Sequence, residues 1–452
     1  MSRHPGRRGV TRRGFLAGLA AVGSGVTASA YPGSRSARAD VTGTSLSADL
    51  SGAGQTLSGL ERYADLAVEI GGGEPVCFVD LDAVDANLEH LVRFAADNGW
   101  HVRPSLKSCQ SPKFCAYLLE RLAEPRGMIF HLRHVAPIVS EAPAGVDLLT
   151  GYVPTVGELA TYLSQPPPAG EYRLRVTVDS LELLEHTITL ARDSTHPGPL
   201  ELCFELDAGT GRGGFTDADD MAAAAALLRD HRELVQLTAL LCYDGHATLS
   251  SANALRRTFA SDAQRRLAHL HDTLRDAAGE AIVELEINGP GSSNYVHWVG
   301  DELLTEISPG SALLYAGYLR AGFDDDELQL GCILAAPVLR VVGPFPRIPL
   351  TAIPLPGANR EQLMLKGGGW PTASGRQPDM IWPQGLDDNN LYGGRGNNTG
   401  TITAPTGTLG LGDYVLMWPH QIGDAIDYFG AITTVRDGAA GQRWPTFARW
   451  GA

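Results

Sequence analysis

Lysine is scarce in this chain, and one lysine stands where an amine could do chemistry. Among 36 basic residues, only Lys107, Lys113 and Lys366 are lysines. A primary amine can lose its proton and form a Schiff base, whereas a guanidinium cannot. Lys107 directly follows the strand-like run HVRPSL at 101–106, and an amine at the carboxyl end of a barrel strand points into the active site. Lys113 lies in a helical stretch and Lys366 precedes glycines, so both have ordinary surface interpretations.

Two later turns contain glycine and could bind an anion. Their sequences are NGPGSS at 288–293 and SPGS at 308–311. Such turns expose backbone N–H groups beside small hydroxyls, and in barrels the loops after the late strands often bind phosphate. A third turn, AGTGRGGF at 208–215, sets Arg212 at the same rim, and the next apolar run ends in YDGH at 243–246.

Alternating elements position these residues. From residue 75 onward, short apolar runs alternate with stretches whose apolar residues recur at three- and four-residue spacing, which is typical of strands and amphipathic helices. This α/β pattern favours a parallel sheet closed as a (β/α)₈ barrel, with an open doubly wound sheet as the alternative. The strand-like runs are 75–80, 101–106, 127–133, 146–152, 173–179, 201–207, 235–243, 282–288 and 304–308.

The composition of the chain changes after about residue 316, where Pro and Gly become frequent and helical periodicity is lost. We predict a second, mainly β domain there. Its segment 367–405 is rich in Gly and Asn, and we expect an ordered loop near the site without regular structure. The β-like runs are 329–342, 361–366, 413–418 and 429–435.

The first 39 residues predict export. Arg12 and Arg13 precede a weakly apolar run that is too short and too glycine-rich to span a membrane, as in a twin-arginine signal peptide. Residues 40–57 predict a flexible lead-in, and the mature protein is expected to be periplasmic or extracellular. Loss of the seven arginines in 1–39 would change the net charge from −15 to −22. Nucleic acid and membranes are therefore not expected as partners.

The six cysteines are scattered along the chain without the spacing of a zinc site. Four of them lie inside apolar runs, so we expect buried cysteines that act as small hydrophobic residues.

The motifs together resemble one family. They resemble the fold-type III pyridoxal-phosphate enzymes of the D-threonine aldolase and D-serine dehydratase group, also called alanine racemase-like, over nearly all of 58–452. The resemblance implies a barrel at 58–316 and a C-terminal β domain at 317–452, paired into a homodimer. The segments that carry it are FVDLDAVDANL, VRPSLKSCQSPK, GVDLLTGY, ELDAGTGRGGF, CYDGHA, INGPGSSN, EISPGSALLY and GDYVLMWPHQ.

Pyridoxal 5′-phosphate is the cofactor that this resemblance implies. Lys107 would bond to its aldehyde, and Arg212 would lie near its phenolic oxygen. Tyr243 and His246 would flank the ring or the substrate. The residues implied to bind its phosphate are Gly289, Gly291, Ser292, Ser293, Gly310 and Ser311.

Two positions depart from the family pattern. Ser105 stands where the family commonly has a histidine, which removes a proton relay or a hydrogen bond. Metal-dependent members carry Cys or Asp two residues after a C-terminal histidine, but His420 is followed there by Ile422. His420 remains the candidate for engaging a substrate hydroxyl, either directly or with Asp424 as a ligand of a divalent metal.

The implied function is a lyase that acts on small D-β-hydroxy amino acids, as an aldolase or a dehydratase. An amino-acid racemase is an alternative, although no separate tyrosine motif of the racemase kind is seen in the second domain. A non-catalytic protein that binds pyridoxal phosphate is another. A secreted hydrolytic barrel would need paired carboxylates, for which Glu205, Asp207 and Glu306 are the candidates.

Overall fold

The computed structural model describes eight segments of the chain. The predicted signal peptide at 1–39 lies outside them, as does the lead-in at 40–57 except for its last residue. No helix in the described segments is long and apolar enough to cross a membrane. The described residues are 57–194, 196–249, 252–278, 284–320, 327–343, 360–370, 377–387 and 395–447.

Helices and strands alternate at first, and strands dominate afterwards. In chain order the elements are α1 (Leu57–Gly71), β1 (Val76–Asp80), α2 (Leu81–Asp97), β2 (His101–Val102), α3 (Pro112–Leu119), β3 (Arg126–Ile129), α4 (Val135–Glu141), β4 (Val146–Thr150), α5 (Val156–Ser164), β5 (Tyr172–Val178), α6 (Leu181–Asp193), β6 (Leu200–Glu205), α7 (Ala218–Asp230), β7 (Val235–Leu241), α8 (Asn253–Ala278), β8 (Glu286–Asn288), β9 (Glu306–Ile307), β10 (Cys332–Val342), β11 (Arg360–Lys366), β12 (Asp379–Trp382), β13 (Thr399–Pro405), β14 (Tyr414–Trp418), α9 (Ile422–Ile426), β15 (Ala431–Arg436) and β16 (Ala439–Pro445).

The predicted barrel is confirmed. Its eight strands pair in the order β2-β9-β8-β7-β6-β5-β4-β3, and all of these pairs are parallel. A parallel bridge between Ser105 and Met128 joins the two ends of that order, so the sheet closes on itself. The open doubly wound alternative is therefore wrong. A barrel brings the carboxyl ends of all its strands to one rim, which is where the predicted site residues should meet.

One predicted barrel strand belongs elsewhere. The run at 75–80 forms β1, which pairs antiparallel with β10 and parallel with β15 in the second sheet. The barrel instead begins with β2, so assigning 75–80 to the barrel was wrong. A short, fully apolar run such as VCFV predicts a buried strand, but it carries no information about which sheet the strand joins.

The second sheet confirms the mainly β domain. Its strands run in the order β12-β14-β10-β1-β15-β16, with β11 on β10 and β13 on β11. The prediction that 367–405 lacks regular structure is wrong, because β12 and β13 lie within it. The strand β13 pairs along its whole length with β11, from Lys366 opposite Thr399 to Arg360 opposite Pro405. Pairing to an existing edge overrode the weak strand propensity of this Gly- and Asn-rich segment.

Buried apolar side chains pack against both sheets. All six cysteines are buried, as predicted, and none forms a disulfide. Polar side chains fix where several helices begin. Asp80, for example, accepts hydrogen bonds from the backbone N–H groups of Asp82 and Ala83 at 2.9 and 3.1 Å, which caps the start of α2.

Candidate active site

A pocket opens at the carboxyl ends of the barrel strands. It gathers residues from several βα loops and from the second domain, and it includes most of the predicted site residues. Predicted residues on its wall are Lys107, Arg212, Tyr243, Gly289, Gly291, Ser292, Gly310 and Ser311. Residues that were not predicted include Ser108, Met128, Phe130, Asn288, Ser308, Tyr318 and Gln421.

Lys107 lies on a 3₁₀ turn, Leu106–Ser108, immediately after β2. Its backbone carbonyl accepts a hydrogen bond from Gln110 Nε2 at 2.8 Å, and its Nζ lies 4.3 Å from the centre of the Phe130 ring. The side chain is exposed to the pocket, but the pocket itself is surrounded by protein. This position gives the amine access to a ligand in the pocket.

The surroundings make the Lys107 amine easier to deprotonate. Burial lowers its pKa to about 8, the Arg212 guanidinium acts in the same direction, and the Asp424 carboxylate opposes both. An amine with a pKa of about 8 is neutral in roughly a tenth of molecules at pH 7. Lys107 can therefore act as a nucleophile near neutral pH.

The two predicted glycine turns meet at one wall of the pocket. Ser292 Oγ accepts hydrogen bonds from the backbone N–H groups of Gly310 and Ala312 at 2.9 and 3.0 Å, so the first turn is tied to the second. A Cβ at residue 310 would lie only 2.8 Å from the Ser105 carbonyl oxygen and 2.7 Å from Ser108 Oγ. Only glycine fits there, and its backbone comes close to the turn that carries Lys107.

Tyr318 is a pocket residue that sequence reasoning missed. Its hydroxyl lies near the hydroxyls of Ser311 and Ser292. Burial raises the pKa of Tyr318, while these two hydroxyls and the charge of Arg256 oppose that rise. The tyrosine lies only a few residues after the second turn, which is the signal that could have identified it.

Arg212 is held at the rim by a carboxylate. Its guanidinium contacts Glu205 through Nε at 2.8 Å and through Nη2 at 2.7 Å. The guanidinium carbon lies 4.7 Å from the centre of the Tyr243 ring, within cation–π range. Burial raises the pKa of Glu205, and the neighbouring Arg212 opposes that rise. Glu205 thus fixes the orientation of a cation that the sequence placed at the rim.

The paired-carboxylate hypothesis fails on geometry. Glu205 ends β6 at the pocket, where it is bound to Arg212. Glu306 begins β9 at the other end of the barrel, is fully buried, and contacts Arg103 at 2.7 Å. Asp207 accepts a hydrogen bond from the backbone N–H of Gly209 at 3.0 Å within its own loop. These carboxylates do not converge on one cavity as a glycosidase pair would.

Two of the residues predicted to bind the cofactor, Ser293 and His246, do not line the pocket. Ser293 is buried within the first turn, and the His246 ring packs against Phe259 with the ring centres 4.7 Å apart. The chain enters a 3₁₀ turn after Tyr243, and this turn directs His246 toward α8. The structure therefore does not place His246 beside a ring in the pocket.

The second domain brings His420 to the edge of the site. Its ring centre lies 6.0 Å from that of Tyr318, and its neighbour Gln421 lines the pocket. Asp424 in α9 is close enough to influence Lys107 electrostatically. Within the described segments, however, no three His, Cys, Asp or Glu side chains are grouped so that they could hold a metal ion. His420 and Asp424 thus lack a third protein ligand of these types among the described residues.

The lysine, the two turns and Arg212 define what the pocket can hold. An aldehyde can bond to the amine, and backbone N–H groups with hydroxyls beside them can bind a phosphate. The arrangement therefore fits a small cofactor that carries both a carbonyl group and a phosphate.

Several solved structures share this fold. D-threonine aldolase from Filomicrobium marinum aligns with a TM-score of 0.65 at 18% identity, covering 82% of this chain and 94% of the other. D-threo-3-hydroxyaspartate dehydratase from Delftia sp. HT23 aligns with a TM-score of 0.64 at 15% identity, covering 83% and 98%. Alanine racemase from Bacillus anthracis aligns with a TM-score of 0.60 at 12% identity, covering 82% and 97%. At these identities the likeness concerns the fold alone.

A family model adds the sequence relationship. The model of the alanine racemase N-terminal domain matches residues 79–318, which is more than half of the chain. No significant match was found among curated proteins. The match spans the barrel from before β2 to Tyr318 and includes Lys107 and both turns. The chain therefore belongs to the alanine racemase-like family of fold-type III pyridoxal-phosphate proteins, as its motifs predicted.

Proposed function

We propose that this protein is a pyridoxal-phosphate-dependent lyase that acts on D-β-hydroxy amino acids, as an aldolase or a dehydratase. The observation that carries the proposal is Lys107, whose amine has a pKa lowered to about 8 in the pocket formed by the two glycine turns. A lysine that only served solubility would gain nothing from such surroundings.

The residues of the pocket fit the cofactor. Lys107 is the covalent attachment point, and Gly310 lets the second turn lie directly against the turn that carries Lys107, where a Cβ would meet Ser105 and Ser108. Ser292 and Ser311 supply hydroxyls on the same wall. Arg212, oriented by Glu205, provides a cation for the phenolic oxygen.

Pyridoxal phosphate supplies an electron sink for a bond broken at the substrate Cα. The chain supplies the proton transfers and the orientation. The Lys107 amine would accept or donate a proton at Cα, because its pKa lies near neutral pH. His420, beside Tyr318, is our candidate for the group that handles the proton of the β-hydroxyl.

Reconstitution with pyridoxal phosphate tests the attachment point. The wild-type protein should gain a visible absorption band, and borohydride reduction should fix the cofactor on Lys107 alone among the three lysines. Lys107→Ala should gain no such band. Lys113→Ala, which removes an exposed lysine six residues away on α3, is the matched control and should behave like wild type. A wild-type protein that binds no cofactor would overturn the proposal.

Product analysis then separates the reaction classes. We expect D-threonine or D-serine to yield an aldehyde with glycine, or a keto acid with ammonia. Parallel assays with and without a chelator test the metal that His420 and Asp424 were predicted to bind. Formation of the L-enantiomer alone would support the racemase alternative, and a loaded protein without turnover would support a non-catalytic role.

We also propose export through the twin-arginine pathway and a homodimeric assembly, as the sequence predicts. Replacing Arg12 and Arg13 together by lysine should retain the precursor inside the cell, as measured by fractionation. Light scattering of the purified protein should give the mass of two chains.

A further inference from the structure

Arg256 is a buried cation behind the first glycine turn. It lies in the first part of α8, and only 3% of its surface is exposed. Its Nη1 donates a hydrogen bond to the backbone carbonyl of Ser293 at 3.4 Å. Ser293 follows Ser292, the residue whose hydroxyl ties the two turns together. The guanidinium therefore contacts the first glycine turn at Ser293, next to the residue that lines the pocket.

The positive charge of Arg256 also acts on Tyr318, a residue that lines the pocket. Tyr318 lines the pocket near Ser292 and Ser311, and the positive charge of Arg256 opposes the rise that burial produces in the pKa of the tyrosine. The donors that line the two turns are neutral N–H and O–H groups, so Arg256 is the full positive charge that lies directly behind them.

Asp244 is the charged group that faces the same loop from the barrel. It accepts hydrogen bonds from Trp298 Nε1 at 2.9 Å and from Asn294 Nδ2. Burial raises the pKa of Asp244, and the hydrogen bonds oppose that rise. The Asp244 carboxylate is therefore held by two side-chain donors of its own.

We propose that Arg256 supplies the fixed positive charge that lets the neutral turns hold the dianionic phosphate of the cofactor. This inference rests on the proposed function. Arg256 acts through the turn as a positioning residue, by lowering the electrostatic cost of placing a phosphate in a site that excludes water. Its effect should therefore depend on the phosphate and not on the pyridine ring.

Comparison of two ligands isolates that effect. The cofactor-free protein is titrated with pyridoxal 5′-phosphate and with pyridoxal, which lacks the phosphate, and the ratio of the two dissociation constants is measured. A defect in folding weakens the binding of both ligands, whereas loss of a phosphate partner weakens only the binding of pyridoxal 5′-phosphate. Arg256→Gln keeps hydrogen-bond donors for the Ser293 carbonyl but removes the charge, and Arg256→Lys keeps the charge.

We expect Arg256→Gln to reduce the preference for the phosphorylated ligand by at least about tenfold, since a buried positive charge behind the turn is lost. Arg256→Lys should retain most of the preference. Arg257→Gln changes the net charge equally at an exposed position on the same helix, so it should retain all of it. Should Arg256→Gln not fold, Arg256→His tests the same idea, because its preference relative to wild type should fall as pH rises from about 6 to about 8.

An unchanged preference in Arg256→Gln, or a pH-independent preference in a folded Arg256→His, would overturn the inference and leave the proposed function intact. Failure of the proposed function would look different, because the wild-type protein would then bind neither ligand at Lys107.

Discussion

The two ends of the barrel treat buried charge in opposite ways. Carboxylates cluster at the amino ends of the strands, which we call the closed end, and the fully buried Arg103 and Arg175 reach them from strands that are not their neighbours. At the carboxyl ends, which we call the open end, Lys107 faces a pocket. The carboxylates of the closed end are Asp147, Glu201, Glu286 and Glu306.

Counterions explain the difference in ionisation. At the closed end, burial alone would raise the pKa of Glu306, but the facing Arg103 outweighs it and the pKa lies below its ordinary value. At the open end, burial lowers the pKa of Lys107 to about 8, and Arg212 adds to the effect. Both groups are desolvated, but with opposite results. Glu306 stays ionised because arginines face it, whereas Lys107 loses its proton more easily because Arg212 repels its charge.

The two ends are separated by a single layer of side chains. Asn288 lines the pocket, and its Nδ2 donates to Ser308 Oγ at 2.7 Å and to Glu306 Oε1 at 3.0 Å. The ion-pair network thus supports the floor of the pocket from below. We infer that the closed end gives the barrel its rigidity and that the open end uses this rigidity to keep its groups in place.

Breaking the closed end should have the largest effect on stability. Arg103→Met removes the partner of Glu306, Asp147 and Glu286, and the buried carboxylates lose their compensation. We expect the free energy of unfolding in urea to fall by about 3–5 kcal/mol. Arg173→Met, which removes a partly exposed arginine of the same network, is the control and should cost roughly 1 kcal/mol or less.

A double variant tests whether unpaired charge causes the loss. Glu306→Gln added to Arg103→Met removes the carboxylate that has lost its main partner, so part of the stability should return. If Arg103→Met alone is as stable as wild type, the closed end does not support the barrel as we describe.

Crowding the open end should have a smaller effect on stability. Gly310→Ala places a methyl group against the Ser105 carbonyl and Ser108 Oγ, which should lower the free energy of unfolding by about 1–3 kcal/mol. It should also weaken binding of pyridoxal phosphate because the turn must move. Gly157→Ala, at an uncrowded position in α5 with ordinary φ, is the matched control and should be neutral or slightly stabilising. If Gly310→Ala kept full stability and full cofactor binding, Gly310 would not lie as close to Ser105 and Ser108 as the structure shows.

The open end was far easier to predict from the sequence than the closed end. Lys107 and the glycine turns follow apolar strands directly, and parallel topology alone brings such residues together. The closed end depends on pairs such as Arg103 with Glu306, which lie 203 residues apart in the sequence. No local pattern reports such a contact, and Glu306 was therefore considered only for a different role.

Local sequence was also misleading where tertiary contacts decide the outcome. The run at 75–80 predicted a buried strand correctly, but its partners, β10 and β15, are supplied by the second domain. His246 belongs to a motif near the site, yet the turn after Tyr243 directs its ring to Phe259. Arg256 lies in an ordinary helix, where neither spacing nor composition marks it as a neighbour of the glycine turns.

The most sensitive test of the comparison changes charge at the open end without disturbing the closed end. Arg212→Gln keeps a donor for Glu205 but removes a positive charge near Lys107, so the pKa of Lys107 should rise from about 8. Asp424→Asn removes a negative charge and should lower that pKa. Each change should be on the order of one pH unit or less.

The pH dependence of acylation measures these shifts directly. In the cofactor-free protein, the rate at which an anhydride modifies Lys107 should increase as pH rises through its pKa, because only the neutral amine reacts. Mass spectrometry of the peptides reports Lys107 and the exposed Lys113 in the same sample, so Lys113 serves as the internal control. The two variants should move the Lys107 profile in opposite directions and leave that of Lys113 unchanged. A shift in the same direction for both would mean that Lys107 responds to altered packing and not to the charges that distinguish the open end.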